Sequence, residues 1–152
     1  MDEMVEDVSA WQASARVIED GPMKGYTWHP EFDPFEHHIG PLGYKQLEDG
    51  SYRCAFYAEK KHLNGGDFLH GGMLMGFADF CLFALAGDTL QGPSVTLSFN
   101  ADFTAAVGAD RLIECEGEVV RNTRSVVFIR GIIRSGDVPL LNFSGVVKRL
   151  GA

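Results

Sequence analysis

Asp79 is the residue of this chain whose chemistry is hardest to explain by folding alone. Residues 73–86 read MLMGFADFCLFALA, a run that is apolar around the whole circumference of a helix and therefore predicts burial on every side. Burying a carboxylate costs free energy unless the group is paired or hydrogen-bonded. We therefore interpret Asp79 as a catalytic candidate, and the alternative is a structural carboxylate satisfied by backbone or hydroxyl donors.

The turn His70-Gly71-Gly72 comes directly before this run and offers a different chemistry. Free backbone N–H groups and the positive end of the helix dipole coincide at a helix N-terminus. Glycine also lets a ligand approach the backbone closely. The turn thus suits the oxyanion that forms when a nucleophile adds to a carbonyl or thioester. A glycine-rich helix start packed against a strand explains the same residues equally well.

The spacing between these two candidates makes a prediction of its own. Asp79 follows Gly71 by eight residues, which is roughly 12 Å along a helix axis, too far for both groups to act on one carbon atom. If they share a site, the aspartate must come from the antiparallel helix of a second subunit. A dimer with two composite sites follows by symmetry.

Three further residues near these candidates could contribute to a site. Asn64 lies in a glycine-rich loop and could place a water molecule or polarise a carbonyl, although Asn-Gly-Gly is also an ordinary turn. His70 could contact a substrate or hold the loop by hydrogen bonds. Thr96 begins an alternating segment and could donate a hydrogen bond to Asp79 or to a water molecule, although most such threonines are only strand residues.

Hydrophobic periodicity predicts the elements that would carry these residues. One helix is expected over residues 3–19, followed by an ordered loop over 21–41, where we expect the prolines to prevent regular helix. A sheet is expected to curl around the apolar helix 70–86, so that each buries the other, with the remaining helix face against a second subunit. The predicted strands cover residues 42–47, 52–59, 95–103, 111–121, 125–134 and 139–148.

Composition narrows the classes of function. A net charge of −8 over 152 residues argues against a general nucleic-acid binder, because phosphates need a basic surface. The three cysteines lie far apart without CxxC spacing, which is typical of reduced thiols in an intracellular protein. The acidic N-terminus does not resemble a signal peptide, and no uninterrupted apolar run reaches the roughly 18 residues of a membrane span. We expect a cytoplasmic protein without a membrane partner.

The order and spacing of the candidate residues resemble a known family. The stretch Leu63-Asn64-Gly65, three residues, Leu69-His70-Gly71-Gly72, five residues, Ala78-Asp79 is similar to the signature of hot-dog-fold acyl-CoA thioesterases, most closely the phenylacetate-degradation branch. The similarity continues through residues 95–103 into the C-terminal strands. It implies an α+β hot-dog domain over residues 35–152, in which an antiparallel sheet of about six strands wraps one long helix. Residues 1–34 would form an N-terminal extension of helix and aromatic loop.

The same resemblance implies roles for individual residues. Gly71 would supply an oxyanion-hole N–H, and Asp79 of the partner subunit would be general base or nucleophile. Asn64 would help to place the thioester or the water, and His70 would support the carbonyl site. Thr96 would help to hold the attacking water.

The resemblance also concerns partners. Members of the family are dimers that commonly pair again into tetramers, and acyl-CoA is their substrate, with no cofactor or metal needed. Many relatives carry an Arg-Pro pair where this chain has Thr104-Ala105, so a contact to the CoA phosphates is missing or is supplied elsewhere, for example by Arg124. The residues that we predict to contact CoA are Gly72, Val95, Arg124 and Ser125.

The predicted function is hydrolysis of an aryl or a short- to medium-chain acyl-CoA to free CoA and a carboxylic acid. Two alternatives remain open on the same fold. The first is a non-catalytic acyl-CoA binding module, against which the retained Asp79 argues. The second is a hydratase of enoyl thioesters, whose differently placed histidine and acidic partner we do not find in this sequence.

Overall fold

A computed structural model describes residues 2–151, with side chains described from residue 8 onward. Its helices are α1 (Asp2–Ser14), α2 (Pro34–Ile39) and α3 (Gly71–Ala86), and short 3-10 turns at Lys60–His62 and Gly87–Thr89 flank α3. Its strands are β1 (Arg16–Val17), β2 (Thr27–Trp28), β3 (Gly43–Gln46), β4 (Tyr52–Ala58), β5 (Ser94–Phe103), β6 (Arg111–Asn122), β7 (Val126–Ser135) and β8 (Val138–Arg149).

The strands form one antiparallel sheet in the order β1-β2-β3-β4-β6-β7-β8-β5. The helix α3 lies in the curl of this sheet and contacts β4, β5, β6, β7 and β8. Its inward side chains Phe77 and Leu82 are fully buried, as are Phe56 of β4 and Leu141 of β8. This is the predicted α+β hot-dog architecture, with the six predicted strands present and two short strands added.

Glycines on the sheet make room for the leucines of α3. A Cβ at Gly117 in β6 would lie 2.8 Å from Leu85 Cδ1, and one at Gly145 in β8 would lie 2.6 Å from Leu82 Cδ1. Both distances are far below a normal van der Waals contact. The absence of side chains at these two positions therefore determines how closely the helix approaches the sheet.

The N-terminal segment departs from its prediction. The helix ends at Ser14 rather than near residue 19, and Arg16–Val17 pairs with Thr27–Trp28 instead. The Ile18 N–H donates to Tyr26 O at 2.9 Å, and Gly25 N–H donates to Ile18 O at the same distance. Hydrogen bonds to a later segment thus override the local helical pattern, because helix propensity is a weak preference compared with tertiary contacts.

The aromatic loop also departs from its prediction, since it contains α2. Pro34 occupies the first turn of that helix, where a missing N–H has no intrahelical partner to lose. Asp33 caps the helix, because its Oδ1 accepts a hydrogen bond from the Glu36 N–H at 3.0 Å. Proline here starts a helix, so the expectation that it would prevent one is wrong.

The sheet of one chain does not cover α3 on every side. Gly72, Met75 and Asp79 form a stripe of exposed residues along one side of the helix, so the chain by itself does not bury α3 all round. By length and mean hydropathy alone residues 71–89 could cross a membrane, but the inner side of α3 packs against the sheet as a core helix. Asp79 is therefore a solvent-accessible carboxylate in the single chain.

The three cysteines are distant in sequence but lie close together where α3 packs on β4 and β6. Cys54 and Cys115 are opposite each other on β4 and β6, and all three thiols are free and buried. Burial raises the pKa of Cys81 and of Cys115, with the neighbouring thiols contributing to the shift at Cys81. A raised pKa disfavours the reactive thiolate, which agrees with structural roles.

Candidate active site

Asp79 is held by a hydroxyl from the neighbouring strand. Thr96 on β5 donates a hydrogen bond from Oγ1 to Asp79 Oδ1 at 2.7 Å. Because Asp79 is exposed, its second carboxylate oxygen can meet water or a substrate. A carboxylate oriented by one hydroxyl and open on its other oxygen can accept a proton or attack an electrophile. We call Asp79 and Thr96 the carboxylate half-site.

The turn before α3 is organised by His70. Its backbone has extended torsion angles (φ −63°, ψ 135°), and its Nδ1 accepts a hydrogen bond from the Gly72 N–H at 2.8 Å. The neutral ring therefore carries its hydrogen on Nε2. The Gly72 donor is occupied by this cap, whereas Gly71 sits at the first helical position, where an N–H has no intrahelical acceptor. Gly71 N–H is thus the donor that this turn can offer to an anion.

Asn64 organises the loop that leads to the same turn. Its Oδ1 accepts hydrogen bonds from the Gly66 N–H at 2.8 Å and the Phe68 N–H at 3.2 Å. These bonds form the ordinary turn that was the alternative interpretation of Asn64. Because the carbonyl oxygen is occupied, a contact to a substrate would have to use the amide N–H groups of Asn64.

The predicted site residues thus form two groups at different heights on α3. His70, Gly71 and Gly72 lie at the N-terminus of the helix, and Asn64 lies in the loop before it; we call these four residues the turn half-site. The carboxylate half-site lies two turns further along, roughly 12 Å from Gly71 by helix rise. One chain therefore does not bring the two half-sites together on a single reacting carbon.

The residues predicted to contact CoA also lie at separate places in the chain. Val95 is 40% exposed and precedes Thr96 on β5. Arg124 and Ser125 lie in the β6–β7 turn. Arg149 links this turn to the 3-10 turn that follows α3, because its Nη1 donates to Thr123 O at 2.7 Å and its Nη2 donates to Thr89 O at 2.8 Å. Within one chain, that turn and Gly72 lie at opposite ends of α3.

Glu36 is a residue near the carboxylate half-site that the sequence patterns did not indicate. It is half-buried on α2, and its pKa is raised to about 7, first by burial and then by the negative charges of Asp33 and Asp79. Neighbouring residues of α2 contact α3 one turn before Asp79: a Cβ at Gly76 would lie 3.3 Å from Ile39 and 3.4 Å from Phe35. In the sequence, the Asp33-Pro34 pair is a common signal for the start of a helix and could have indicated α2.

The raised pKa of Glu36 predicts a pH-dependent stability. The folded state binds the Glu36 proton more tightly than the unfolded state, in which the pKa is near 4.5. Ionisation of Glu36 therefore destabilises the folded state progressively as the pH rises from 4.5 through about 7. We expect Glu36→Gln to change the free energy of unfolding little at pH 4.5 and to raise it by about 2 kcal/mol at pH 8, a figure reduced for partial exposure. Urea unfolding at both pH values measures the difference. The exposed turn residue Glu48 provides the control Glu48→Gln, and equal pH dependence in the two variants would contradict the assignment.

Comparisons with known proteins identify the family. The family model described as the thioesterase superfamily matches residues 66–141. A Thermus thermophilus protein of known structure is 33% identical, with 78% of this chain and 98% of that chain covered and a TM-score of 0.67. A variant of the phenylacetic acid degradation protein from Thermus thermophilus is 32% identical, with 78% and 100% covered and a TM-score of 0.67.

A more distant structure shows the same fold. A Streptococcus mutans protein bound to acetyl CoA is 16% identical, with 70% of this chain and 86% of that chain covered and a TM-score of 0.64. No functionally curated protein matches the chain. The predicted family and its phenylacetate-degradation branch are confirmed by these matches: the chain belongs to the thioesterase superfamily, as a thioester hydrolase with the hot-dog fold.

Proposed function

We propose that this protein hydrolyses acyl-CoA thioesters to free CoA and a carboxylic acid. The observation that carries the proposal is the exposed carboxylate of Asp79, oriented by the Thr96 hydroxyl at 2.7 Å in a member of the thioesterase superfamily. The similarity to a phenylacetic acid degradation protein at 32% identity supports an aryl acyl group, and short- to medium-chain acyl groups are the other class to be tested. We propose that the reaction needs neither a cofactor nor a metal ion.

In the proposed mechanism, Asp79 removes a proton from a water molecule as that water attacks the thioester carbonyl. The Gly71 N–H stabilises the oxyanion of the tetrahedral intermediate. Collapse of the intermediate expels the CoA thiolate, which takes up a proton, and releases the carboxylic acid. Alternatively, Asp79 attacks the carbonyl itself and the CoA thiolate leaves, which forms a mixed anhydride that water then opens. Label on Asp79 after a single turnover in H₂¹⁸O would establish the anhydride route, because general-base catalysis leaves both oxygens of Asp79 unlabelled.

We propose that the site is composite and forms in a homodimer. In one chain Gly71 and Asp79 are roughly 12 Å apart along α3, whereas an antiparallel α3 of a second subunit can bring its Asp79 to the Gly71 turn. The exposed side of α3 and the exposed Val95 (40%) and Leu97 (56%) of β5 offer the surface for such a contact. Pairing of dimers into a tetramer would place Val95, Arg124 and Ser125 near CoA.

The composite site makes Gly71 testable by a matched pair of variants. Gly71→Pro removes the N–H at a helical position where proline is tolerated, whereas Gly71→Ala keeps the N–H and adds the same Cβ, 3.3 Å from the Phe103 ring. We expect the proline variant to lose about 10²-fold in kcat and the alanine variant to lose less than about tenfold. Equal losses in the two variants would contradict an oxyanion role.

Mixing variants tests the dimer directly. A heterodimer of Gly71→Pro and Asp79→Asn subunits contains one composite site with both native groups and one site with neither. We therefore expect activity to recover when the two inactive proteins are unfolded and refolded together, up to about a quarter of the wild-type value for random pairing. No recovery in the refolded mixture would contradict the composite site.

The primary test of the proposed function is release of free CoA from a panel of aryl, short-chain and medium-chain acyl-CoAs. Turnover on one class would establish the reaction and its substrate class. Tight binding of acyl-CoA without release would favour the non-catalytic binding module. Hydration of an unsaturated thioester without release of CoA would favour the hydratase.

A further inference from the structure

His62 is a buried histidine to which the proposed mechanism gives no role. Its side chain is almost fully buried, at 3% exposed. Its Nδ1 accepts a hydrogen bond from the Glu59 N–H at 2.9 Å, and its Nε2 lies 2.6 Å from Ile39 O. Since Nδ1 is the acceptor, Nε2 carries the hydrogen and donates it to the Ile39 carbonyl.

The Ile39 carbonyl belongs to the last residue of α2. The final carbonyls of a helix have no intrahelical donors and need partners from elsewhere. His62 provides the donor for Ile39, and the neighbouring Lys61 donates from Nζ to Gly40 O at 2.8 Å. Two successive residues of the Lys60–His62 turn therefore hold two successive carbonyls at the end of α2.

The same histidine is joined to the start of α3. Its backbone carbonyl accepts a hydrogen bond from the His70 N–H at 2.9 Å. Its ring meets the edge of Phe56 with centroids 5.2 Å apart, and Phe56 meets Phe77 of α3 at 4.7 Å. His62 is thus rigidly placed relative to α3, and it transmits that position to α2.

The position of α2 matters because this helix borders the carboxylate half-site. Phe35 and Ile39 lie against Gly76, one turn before Asp79, and the Glu36 carboxyl is close enough for the charge of Asp79 to act on it. The α2 segment is short, at six residues, so its own backbone hydrogen bonds hold it weakly. Its position depends on side-chain anchors.

We infer that His62 is a positioning residue that anchors α2 as a fixed wall beside Asp79, with Lys61 as the weaker second anchor. The inference rests on the proposed function, since the wall borders the site where the acyl group would react. An unanchored α2 would move relative to Asp79, and a displacement of about 1 Å near reacting groups can cost about 10²-fold in rate. The bond from His62 Nε2 to Ile39 O is the interaction on which this depends.

Two substitutions separate the two ring nitrogens. In His62→Gln the amide nitrogen can reach the position of Nε2 and donate to Ile39 O, whereas in His62→Asn the shorter amide oxygen can replace only Nδ1 as acceptor for Glu59. We expect the glutamine variant to keep kcat within about threefold of wild type. We expect the asparagine variant to lose about 10- to 100-fold in kcat, with a smaller change in KM.

A spectroscopic measurement follows α2 without any substrate. Trp28 stacks on His37 of α2, with ring centroids 6.0 Å apart and planes at 14°. The chain has two tryptophans, so a Trp11→Phe background leaves Trp28 as the only indole. Acrylamide quenching of Trp28 should increase in His62→Asn and remain at the parental value in His62→Gln.

The outcomes distinguish this inference from the proposed function. Equal kcat in the two variants, or unchanged Trp28 quenching in His62→Asn, would overturn the anchor. If His62→Asn does not fold, Lys61→Met removes the second anchor at a residue whose side chain is 47% exposed. This variant should raise Trp28 quenching and lower kcat about threefold. No change in its Trp28 quenching would again overturn the anchor. Full activity of Asp79→Asn would refute the proposed mechanism while leaving the quenching result to decide the role of His62.

Discussion

Replacing Asp79 with asparagine is expected to lower kcat/KM for the best acyl-CoA substrate by about 10³-fold or more. An amide can neither accept a proton from water nor attack a thioester, so both forms of the proposed mechanism fail in this variant. Asn retains the shape of the side chain and an oxygen that can accept the hydrogen bond from Thr96. Because Asp79 is exposed in the chain, we expect the free energy of unfolding to change by less than about 1 kcal/mol.

The measurement is steady-state CoA release, with circular dichroism and urea unfolding on the same samples. Asp137→Asn is a matched control, since Asp137 is exposed in the β7–β8 turn and outside both half-sites. We expect the control to retain wild-type turnover. If Asp79→Asn kept more than a tenth of the wild-type kcat/KM, Asp79 would be neither the base nor the nucleophile.

Gly117→Ala is expected to produce the largest loss of stability, about 3 kcal/mol or more. A Cβ at this position would lie 2.2 Å from Arg130 O and 2.8 Å from the Gly131 Cα, both backbone atoms of the paired strand β7. Leu85 of α3 approaches the same point at 2.8 Å. Neither the strand pairing nor the helix can move away without losing other contacts, so the added methyl group overpacks the core.

The stability change would be measured by urea unfolding, or by the yield of folded protein if the variant does not fold. Gly65→Ala is the control, because a Cβ at Gly65 meets nothing within 4 Å and its φ lies outside the left-handed region. We expect that control to remain within about 0.5 kcal/mol of wild type. A comparably small change in Gly117→Ala would contradict the close contact between β6 and β7.

Within one chain, β5 and α2 both approach Asp79 of α3. The Thr96 hydroxyl from β5 orients the carboxylate, and α2 approaches it with a carboxyl group of raised pKa. We propose that the Gly71 turn of a second subunit completes the site.

The sequence by itself determined those features that depend on local patterns. The apolar run of residues 73–86 predicts α3 because a helix needs only neighbours along the chain, and alternation predicts the long strands in the same way. The Asn64, His70-Gly71-Gly72 and Asp79 spacing indicated the family, which the match to the thioesterase superfamily confirms. The roles of these residues in catalysis remain predictions.

Only the tertiary structure decided the features that depend on contacts between distant segments. The pairing of Arg16–Val17 with Thr27–Trp28 shortens α1, and the sheet of one chain leaves Asp79 exposed. The proximity of Glu36 to Asp79 and the bond from His62 to Ile39 both require α2 to lie across α3. No periodicity encodes such contacts, because their free energy comes from packing and hydrogen bonds between elements rather than from the conformational preference of any one segment.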